Sequence, residues 1–410
     1  MKVVFVSDTF HHHQKPFSDE MYRLTEGNYT FITTRKMSEE RLKMGWGKSP
    51  NPSYVFNLDM NNKRSLSEAI KMIDNADVVI TGSAPLCLLK NRRKLGKITF
   101  RYSERLYKTR SRYLKMPIHA YRAWWMKNSF MLCSSAYTSR DYSLSANYIK
   151  RCFKWGYFTK LKIYDDINKL IESKRKVNNE HNGISILWVS RFIKLKHPEI
   201  VIDLAKKLRN EGVRFRLEMI GIGPLEKEIR ESIINNNLTS FITISGSMSP
   251  EEVRLRMERS SIFIFTSDRH EGWGAVMNES MNSACAVVAC DSIGSVPFLI
   301  VEGENGYTYK QGDVEELFRK VYLLCSNSAL REQIALNAYN AILKTWNAGQ
   351  AARNIIKLID DLLNNRESSI NEGPCSMSMP LDLDGKHYFN VEKYDMWKSV
   401  RFMIKDILGI

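Results

Sequence analysis

The sequence predicts an α/β protein built from two Rossmann-like domains, and three observations support this fold class. Its 410 residues exceed what a single ordinary hydrophobic core fills. Short apolar runs alternate with helical patterns in both halves, as in parallel sheets whose strands are connected by helices. A polar stretch at residues 170–183 separates the halves, and we interpret it as the linker between the domains.

Composition limits the protein class. Hydrophobic residues make up 43% and aromatic residues 11% of the chain, which is enough for two cores and excludes a disordered protein. The seven cysteines contain no Cys-x-x-Cys pair, which argues for a reducing compartment and against a disulfide framework or a zinc site. The first apolar run is too short for a signal peptide, and no run reaches the roughly 18 residues of a membrane span. We therefore expect a cytoplasmic protein.

The first domain is expected over residues 1–170. A buried strand at residues 3–6 leads into a loop with three consecutive histidines, and a helix follows at 17–25. The later strands alternate with helical stretches or basic turns, as a doubly wound sheet requires. These strands are predicted at residues 77–81, 97–101 and 129–134.

The second domain, expected over residues 184–345, alternates more regularly. A helix at 346–365 then returns towards the first domain, and residues 366–410 form an extension of unknown role with an amphipathic helix near 391–408. In a Rossmann-like sheet the ligand lies at the carboxyl ends of the strands. The strands are predicted at residues 184–189, 215–220, 241–244, 262–266, 286–289 and 307–309.

Two glutamates, Glu271 and Glu279, lie at the turn that follows the strand at 262–266. Glycines between them let the backbone approach a ligand closely. A helix starting near Gly274 points its N–H groups and positive dipole end at the same place, which favours a phosphate. The glutamates are then placed to accept hydrogen bonds from sugar and ribose hydroxyls. The alternative is that both are solvated carboxylates on a surface helix.

Cations follow the first strand of the second domain, where the same site needs them. Arg191 offers a planar fork to phosphate oxygens, and Lys196 offers a compact charge. Such cations stabilise a diphosphate leaving group as its negative charge develops. The alternative is an exposed basic loop. A glycine turn with Gly221 and Gly223 and a loop with Met248, which borders a base in this interpretation, end the next two strands.

The net charge of +16 is concentrated in one segment, residues 90–127, which contains thirteen Lys or Arg and one acid, Glu104. Trp and Tyr residues are interleaved with these cations. This combination suits an anionic bilayer surface, where aromatic rings lie at headgroup level and cations meet phosphates. A solvated basic face is the alternative. Nucleic acid is not expected, because no zinc finger or RNA-recognition signature is present.

Together these features resemble the retaining GT-B glycosyltransferases of family 4, the glycosyl transferases group 1. The resemblance covers roughly residues 184–363, and the first half only loosely. It implies two Rossmann-like domains facing each other across a cleft, a UDP- or GDP-sugar donor in the second domain, and no metal or other cofactor. It rests on the E-x7-E pattern at 271–279, the cluster of Ser190, Arg191 and Lys196, the turn at 221–224, and residues 286–289, Gly294, Gly306 and Tyr307.

The resemblance also implies roles for individual residues. Arg191, Lys196 and Glu271 are the expected catalytic residues: the two cations hold the diphosphate, and Glu271 contacts the donor sugar. Retention by same-face attack lets a donor phosphate oxygen take the acceptor proton, so no separate base is needed. The expected donor-binding residues are Glu279 at the ribose together with Gly274, Ala275, Gly223, Met248 and His270.

The first domain departs from the family pattern. The loop after its first strand is not glycine-rich, and its His12 and His13 are interpreted as acceptor-side residues. The histidine that the family often carries near the reacting sugar is missing, and Glu104 is the proposed substitute. Alternatively, Glu104 neutralises Arg101 and Arg105. An Asp-x-Asp pattern at residues 382–384 lies in an irregular tail, so we do not assign it to a metal.

The expected function is transfer of a hexose or related sugar to a lipid-linked or polysaccharide acceptor in the synthesis of envelope, capsule or exopolysaccharide glycans. The enzyme would be cytoplasmic and peripheral at the inner face of the plasma membrane. A phosphorylase or epimerase is the enzymatic alternative. The non-enzymatic alternative is a basic protein that binds nucleic acid or membrane without catalysis.

Overall fold

The computed structural model describes residues 1–37, 39, 51–109, 114–126, 129–144 and 147–381, which fall into two compact units. The N-terminal unit comprises the described residues of Met1–Lys160 and those from Asn347 onwards, and the C-terminal unit comprises Leu161–Trp346. In the described ranges, each unit has one parallel β-sheet connected by helices. The predicted α/β class with two Rossmann-like domains is confirmed.

The sheet of the N-terminal unit has seven described strands in the order β3-β2-β1-β4-β5-β6-β7. The interior strand β1 is buried along its whole length, as expected for a parallel strand covered on both faces. The strands are β1 (Val3–Ser7), β2 (Tyr29–Thr33), β3 (Val55–Asn57), β4 (Val78–Thr81), β5 (Thr99–Ser103), β6 (Phe130–Cys133) and β7 (Cys152–Lys154). The described helices are α1 (Lys15–Leu24), α2 (Lys63–Asn75), α3 (Met116–Trp125) and α4 (Thr138–Ser143).

The core of the N-terminal unit is divided by its sheet. On one side Val4, Val6, Ile32 and Val79 pack against the apolar side of α2. Elsewhere along β1 and β2, Phe5 stacks on Phe31 with ring centroids 5.0 Å apart. Because alternate strand residues point to opposite faces, each strand supplies both layers. The sheet therefore fixes the loops at its carboxyl edge.

The C-terminal unit has six described parallel strands in the order β10-β9-β8-β11-β12-β13. The order reverses between β8 and β11, so loops from these strands diverge at a switch point, where Rossmann-like sheets bind ligands. The strands are β8 (Ile184–Val189), β9 (Phe215–Ile220), β10 (Ile242–Ile244), β11 (Ile262–Phe265), β12 (Ala286–Cys290) and β13 (Tyr307–Tyr309). The helices are α5 (Ile167–Glu180), α6 (Pro198–Asn210), α7 (Glu226–Asn235), α8 (Pro250–Arg259), α9 (Ala275–Asn282), α10 (Val296–Leu299), α11 (Val314–Ser326) and α12 (Ser328–Lys344).

The stretch interpreted as a linker, residues 170–183, is mostly helical and lies in α5. The helix buries two polar residues, Lys174 and Asn178, beside two apolar ones, so its sequence looks more hydrophilic than its packing is. The Lys174 ammonium donates hydrogen bonds to the carbonyls of Met257 (3.0 Å), Ser260 (2.6 Å) and Ala284 (2.7 Å). The prediction of a linker at residues 170–183 is therefore wrong: this polar stretch forms most of a helix that belongs to the C-terminal unit.

After the C-terminal unit, helix α13 (Ala348–Leu363) packs against α1 in the N-terminal unit. The next residues stay with that unit: Lys154 donates its backbone N–H to the Ser376 carbonyl at 2.8 Å. The Asp-x-Asp pattern at 382–384 and the predicted helix near 391–408 lie outside the described residues. Within the described ranges, no helix is both long and apolar enough to cross a membrane.

Candidate active site

The loop between β8 and α6 carries the two predicted cations and rests on a glycine turn. Arg191 is exposed near the start of this loop, and Lys196 lies near its end. A Cβ atom at Gly221 would collide with the Ser190 carbonyl, and one at Gly223 would collide with the Phe192 backbone. The two glycines therefore let the loops after β8 and β9 pack backbone to backbone. A contact of Gly223 with a donor stays a prediction.

The loop between β11 and α9 carries Glu271 and ends in a glycine that the fold requires. Gly274 caps α9 with φ of 78°, a conformation that residues with a Cβ rarely adopt. A Cβ there would also collide with the Phe265 ring. Helix α9 thus begins at Ala275 with its first N–H groups directed towards the strand-end loops, which favours an anion.

Lys196 and Glu271, 75 residues apart in the chain, form an ion pair. Both side chains are mostly buried, with 13% and 15% of their surfaces exposed. The Lys196 ammonium also lies 5.6 Å from the centroid of the Phe265 ring. The structure therefore brings together a cation and a carboxylate that the sequence analysis assigned to one site.

Glu279 lies one turn into α9 and is half-buried. Burial raises the pKa of the Glu279 carboxyl, and the nearby positive charge of Arg254 partly offsets this. The Arg254 guanidinium donates to the Glu279 carbonyl and to the Asn282 side chain, both at 3.0 Å. The sequence analysis did not predict Arg254, because this residue lies on α8 and not in a strand-end loop.

A cluster of charged side chains beside the Lys196–Glu271 pair was also missed. The His197 ring lies between two carboxylates, with Nε2 3.2 Å from Asp268 Oδ2 and Nδ1 2.7 Å from Glu199 Oε1. On its other oxygen, Asp268 contacts His270 Nδ1 at 2.8 Å. Hydrogen bonds to Asp268 and Glu199 raise the pKa of His197 to about 9. The sequence could have indicated this cluster, because His197 directly follows Lys196 and Asp268 precedes Glu271 by three residues. Residues next to two predicted site residues are expected to lie near each other.

The remaining donor-side candidates lie at the same edge of the sheet. Met248 follows β10 and is half-buried, and its loop is joined to the preceding one by a 2.7 Å hydrogen bond from Gly221 N to the Gly246 carbonyl. His270 is half-buried beside Glu271. Ala275 is the first residue of α9. Four strand-end loops of the C-terminal unit therefore share one edge.

In the N-terminal unit, Glu104 follows β5 and is engaged locally. Its carboxylate pairs with Lys108 at 2.6 Å and accepts a hydrogen bond from the Tyr157 hydroxyl at 2.9 Å. Arg105 instead lies over the Tyr137 ring, 4.9 Å from its centroid. The alternative that Glu104 neutralises Arg101 and Arg105 is therefore wrong, because the cation that Glu104 pairs with is Lys108. The acceptor-side role of Glu104 stays a prediction.

The three consecutive histidines lie in the turn between β1 and α1. The rings of His12 and His13 are in edge contact, with centroids 4.0 Å apart. Across the described ranges, no three His, Cys, Asp or Glu side chains are grouped as they would be to hold a metal ion. An acceptor-side role for His12 and His13 stays a prediction.

Comparison with known proteins finds a family match within the C-terminal unit and relatives that share part of the chain. Residues 171–341 match the family model described as Glycosyl transferases group 1. An uncharacterized glycosyltransferase, MJ1178 of Methanocaldococcus jannaschii, is 31% identical over 175 residues, which are 43% of this chain and 46% of that protein. The amylovoran biosynthesis glycosyltransferase AmsK of Erwinia amylovora is 24% identical over 187 residues, 44% of this chain and 46% of AmsK. The chain thus spans about half the length of these curated relatives.

The likeness of fold extends over most of the chain. The crystal structure of Anabaena HepE in complex with UDP superposes with a TM-score of 0.64 at 13% identity, covering 88% of this chain and all of HepE. At that identity the likeness shows the fold alone. It is the GT-B fold, with one Rossmann-like domain in each unit.

Proposed function

We propose that this chain, whose residues 171–341 form a glycosyl transferases group 1 domain, transfers a sugar from a nucleotide diphosphate-sugar to an acceptor. The observation that carries the proposal is the Lys196–Glu271 ion pair at the switch point of the C-terminal sheet, beside the first turn of α9. A mostly buried cation and carboxylate at this place match the two halves of a sugar diphosphate. One binds phosphate oxygens, and the other binds hydroxyl groups.

The chemistry follows from where charge develops. Cleavage of the sugar–phosphate bond leaves negative charge on a diphosphate, and preorganised cations and helix ends stabilise such charge strongly in a site shielded from water. Arg191 and Lys196 supply the cations and α9 supplies backbone N–H groups. Before donor binds, Glu271 holds the Lys196 ammonium in place. When donor binds, the diphosphate takes over that ammonium and Glu271 accepts from the sugar.

We propose retention of the anomeric configuration without a resident metal. The two cations and the end of α9 provide the charge stabilisation that a metal ion supplies in other phosphate chemistry. A donor phosphate oxygen takes the acceptor proton, so no protein base is required. The engagement of Glu104 with Lys108 and Tyr157 is consistent with this. Turnover that persists in excess EDTA, and NMR of the product anomer, test both points.

UDP is the preferred nucleotide in this proposal, because HepE was crystallised with UDP and with UDP-glucose; GDP is the alternative. Calorimetric titration with UDP and with GDP separates them. Release of UDP or GDP from a panel of nucleotide-sugars then tests transfer itself. Sugar release that depends on inorganic phosphate and on no nucleotide would instead select a phosphorylase.

We propose a lipid-linked or polysaccharide acceptor of the bacterial envelope, bound by the N-terminal unit. Biosynthesis of amylovoran by AmsK supports a polysaccharide pathway. The surface of α3 supports a lipid-linked one, because Ile118, Tyr121 and Trp124 lie three residues apart and are 53%, 61% and 55% exposed. The Arg93 guanidinium lies 5.6 Å from the Trp124 ring centroid. Aromatic and basic groups together favour an anionic bilayer.

Membrane association is testable by co-sedimentation with vesicles. We expect binding to vesicles that contain phosphatidylglycerol, weaker binding to pure phosphatidylcholine, and several-fold weaker binding by Trp124→Ser. Ile234→Ser removes an equally exposed apolar residue on α7 and is the matched control. Equal binding to both vesicles, or RNA binding without vesicle binding, would contradict this assignment. Part of the basic segment, residues 110–113 and 127, lies outside the described residues.

A further inference from the structure

Two loops of the C-terminal unit are joined by side chains that the proposed chemistry does not use. One is the β8–α6 loop, which carries Lys196, and the other is the β11–α9 loop, which carries Glu271. The Thr266 hydroxyl donates to the Lys196 carbonyl at 2.6 Å, and Asp268 donates its backbone N–H to the Leu195 carbonyl at 3.0 Å. The backbone on either side of Lys196 is thus fixed to the loop that carries Glu271.

Asp268 orders the second loop as well as the first. Its Oδ1 accepts the His270 backbone N–H at 2.8 Å, and its carbonyl accepts the Glu271 N–H at 3.0 Å. Its Oδ2 contacts His197 in the first loop. Burial opposes ionisation of Asp268, but the hydrogen bonds from His197 and His270 hold the pKa of Asp268 below its ordinary value. One carboxylate therefore contacts both loops.

The geometry of His197 requires a charged ring. Its two ring nitrogens each face a carboxylate oxygen, of Asp268 and of Glu199. Carboxylates only accept hydrogen bonds, and a neutral imidazole has a single N–H, so both contacts are hydrogen bonds only when the ring is protonated. The backbone at His197 is left-handed, with φ of 49°, and Pro198 follows at the start of α6. The ring is therefore held in a defined place.

We propose that Asp268 and His197 form a clasp that positions Lys196 and Glu271 for the donor diphosphate-sugar, and that the clasp is strongest while His197 is charged. Both are positioning residues, because they act through the residues beside them. The inference rests on the proposed function and adds to it a dependence on pH. Loss of the His197 proton weakens the clasp, because the ring loses its charge and its single remaining N–H can donate to only one of the two carboxylates.

Other charged groups near the clasp do not replace His197. Lys196 and Glu271 are paired with each other, and His270 contacts the other oxygen of Asp268. The adjacent strand ends add Asp291, whose carboxylate disfavours loss of the Cys290 and Tyr309 protons. Burial raises the pKa of Cys290 to about 12 and that of Tyr309 far above its ordinary value, so both stay neutral over the range tested.

The test is the pH profile of donor use from pH 7 to 10.5 in the wild type and in His197→Asn. Asparagine tolerates the left-handed backbone but does not titrate. We expect wild-type kcat/KM for the donor to fall above about pH 9. In His197→Asn it should be about 10-fold lower at pH 7.5, because small displacements of reacting groups cost that much or more. The fall above pH 9 should then be absent. His181→Asn, at the exposed end of α5, is the control.

Asp268→Asn keeps the shape of the side chain and removes its charge, so we expect a similar loss at pH 7.5. The wild-type fall at high pH should shift to lower pH in this variant, because His197 keeps only the Glu199 carboxylate. A fall that persists in His197→Asn would arise from the nucleotide base or another group, and it would overturn the clasp. Wild-type kinetics in Asp268→Asn would overturn it equally.

A donor-free measurement separates this inference from the proposed function. The pKa of His197 is higher in the folded chain than in an unfolded one, so its stabilising contribution is complete below about pH 6.5 and is lost as the pH rises through about 9. Wild-type melting temperature should fall over that window relative to His197→Asn. If the wild type transferred no sugar, the proposed function would fail while this measurement still tested the clasp. Parallel melting curves would overturn the clasp alone.

Discussion

The carboxyl edges of the two sheets are built differently. In the C-terminal unit, oppositely charged partners come from separate loops: Lys196 meets Glu271, and His197 meets Asp268. In the N-terminal unit, the ion pair of Glu104 is local, with Lys108 four residues away. The side-chain contacts between separate segments at this edge include those of hydroxyl groups, from Tyr157 to Glu104 and between Ser7 and Tyr102 (3.1 Å). An ion pair between two loops fixes the position of both charged groups, whereas an ion pair within one segment fixes only its local shape. The C-terminal edge is therefore the one whose charged groups are held in place by a second loop.

This contrast fits the chemistry that we assign to each unit. A diphosphate leaving group has the same geometry in every donor of its class, so a rigid set of cations suits it. Acceptors differ in size and linkage, and loops that are not joined to a second loop by ion pairs accommodate sequence change more readily. We therefore expect substitutions at the C-terminal edge to have the larger effect on turnover.

The largest expected effect is that of Glu271→Gln compared with Glu104→Gln. We expect the first substitution to lower kcat by on the order of 10²–10³, because it removes a charged acceptor for the donor sugar and the partner of Lys196. We expect the second to lower kcat less than about 10-fold, because in the proposed mechanism the donor phosphate, and not Glu104, takes the acceptor proton. Initial rates with the preferred UDP-sugar measure both, and unchanged circular dichroism shows intact folding.

If Glu104→Gln lost as much activity as Glu271→Gln, the N-terminal edge would contain a catalytic carboxylate and the contrast would fail. If Glu271→Gln behaved like the wild type, the assignment of the donor site to the C-terminal edge would be wrong. Arg191→Ala provides an independent check, because it removes a cation from the same edge and should also lower turnover strongly.

The fold and the Lys196–Glu271 contact were predictable from sequence for one physical reason. Carboxyl ends of neighbouring parallel strands meet at one edge, and β8 and β11 are neighbours, so residues just after both strands converge. The contacts of His197 were not predictable in this way. They depend on a left-handed backbone at His197, a conformation that is uncommon for any residue other than glycine and that no local sequence pattern here predicts. Helix α5 was not predicted because its buried face contains Lys174. A buried lysine interrupts the apolar periodicity by which an amphipathic helix is recognised in a sequence.

The second prediction concerns the free energy of unfolding, and it compares one buried cation in each unit. Lys174 donates to three carbonyls in the C-terminal unit, while Arg92 donates to carbonyls including those of Asp77 and Ile98, both at 2.7 Å. Burial lowers the pKa of Lys174, and burial lowers the pKa of Arg92 to about 10. Replacing either by methionine leaves buried carbonyls without donors, so we expect a loss of about 2–4 kcal/mol in the affected unit.

Thermal unfolding of Lys174→Met and Arg92→Met, with and without UDP, tests this. Lys174→Met should lower the melting temperature of the transition that UDP raises, and Arg92→Met should lower the other. If both variants shifted the UDP-dependent transition equally, the units would unfold together and the contrast would hold for catalysis only. A wild-type melting temperature for Lys174→Met would show that the carbonyls find other donors.

The smallest effect is that of a single methyl group at the capping glycine of α9. Gly274→Ala places a Cβ against the Phe265 ring at a backbone with φ of 78°, so the loop with Glu271 must move. Gly27→Ala in the N-terminal unit has a similar φ of 82°, but the atoms nearest to its Cβ belong to Tyr22 and lie at 3.6 Å or more, which is ordinary van der Waals contact. Both variants carry the backbone strain of about 1 kcal/mol.

The crowding against Phe265 is present only at Gly274. We therefore expect Gly274→Ala to weaken UDP binding several-fold by calorimetry, and Gly27→Ala to leave it unchanged. Equal affinity in the two variants would mean that the end of α9 tolerates displacement. The diphosphate would then depend on Arg191 and Lys196 alone, and the C-terminal edge would be less rigid than its contacts between loops imply.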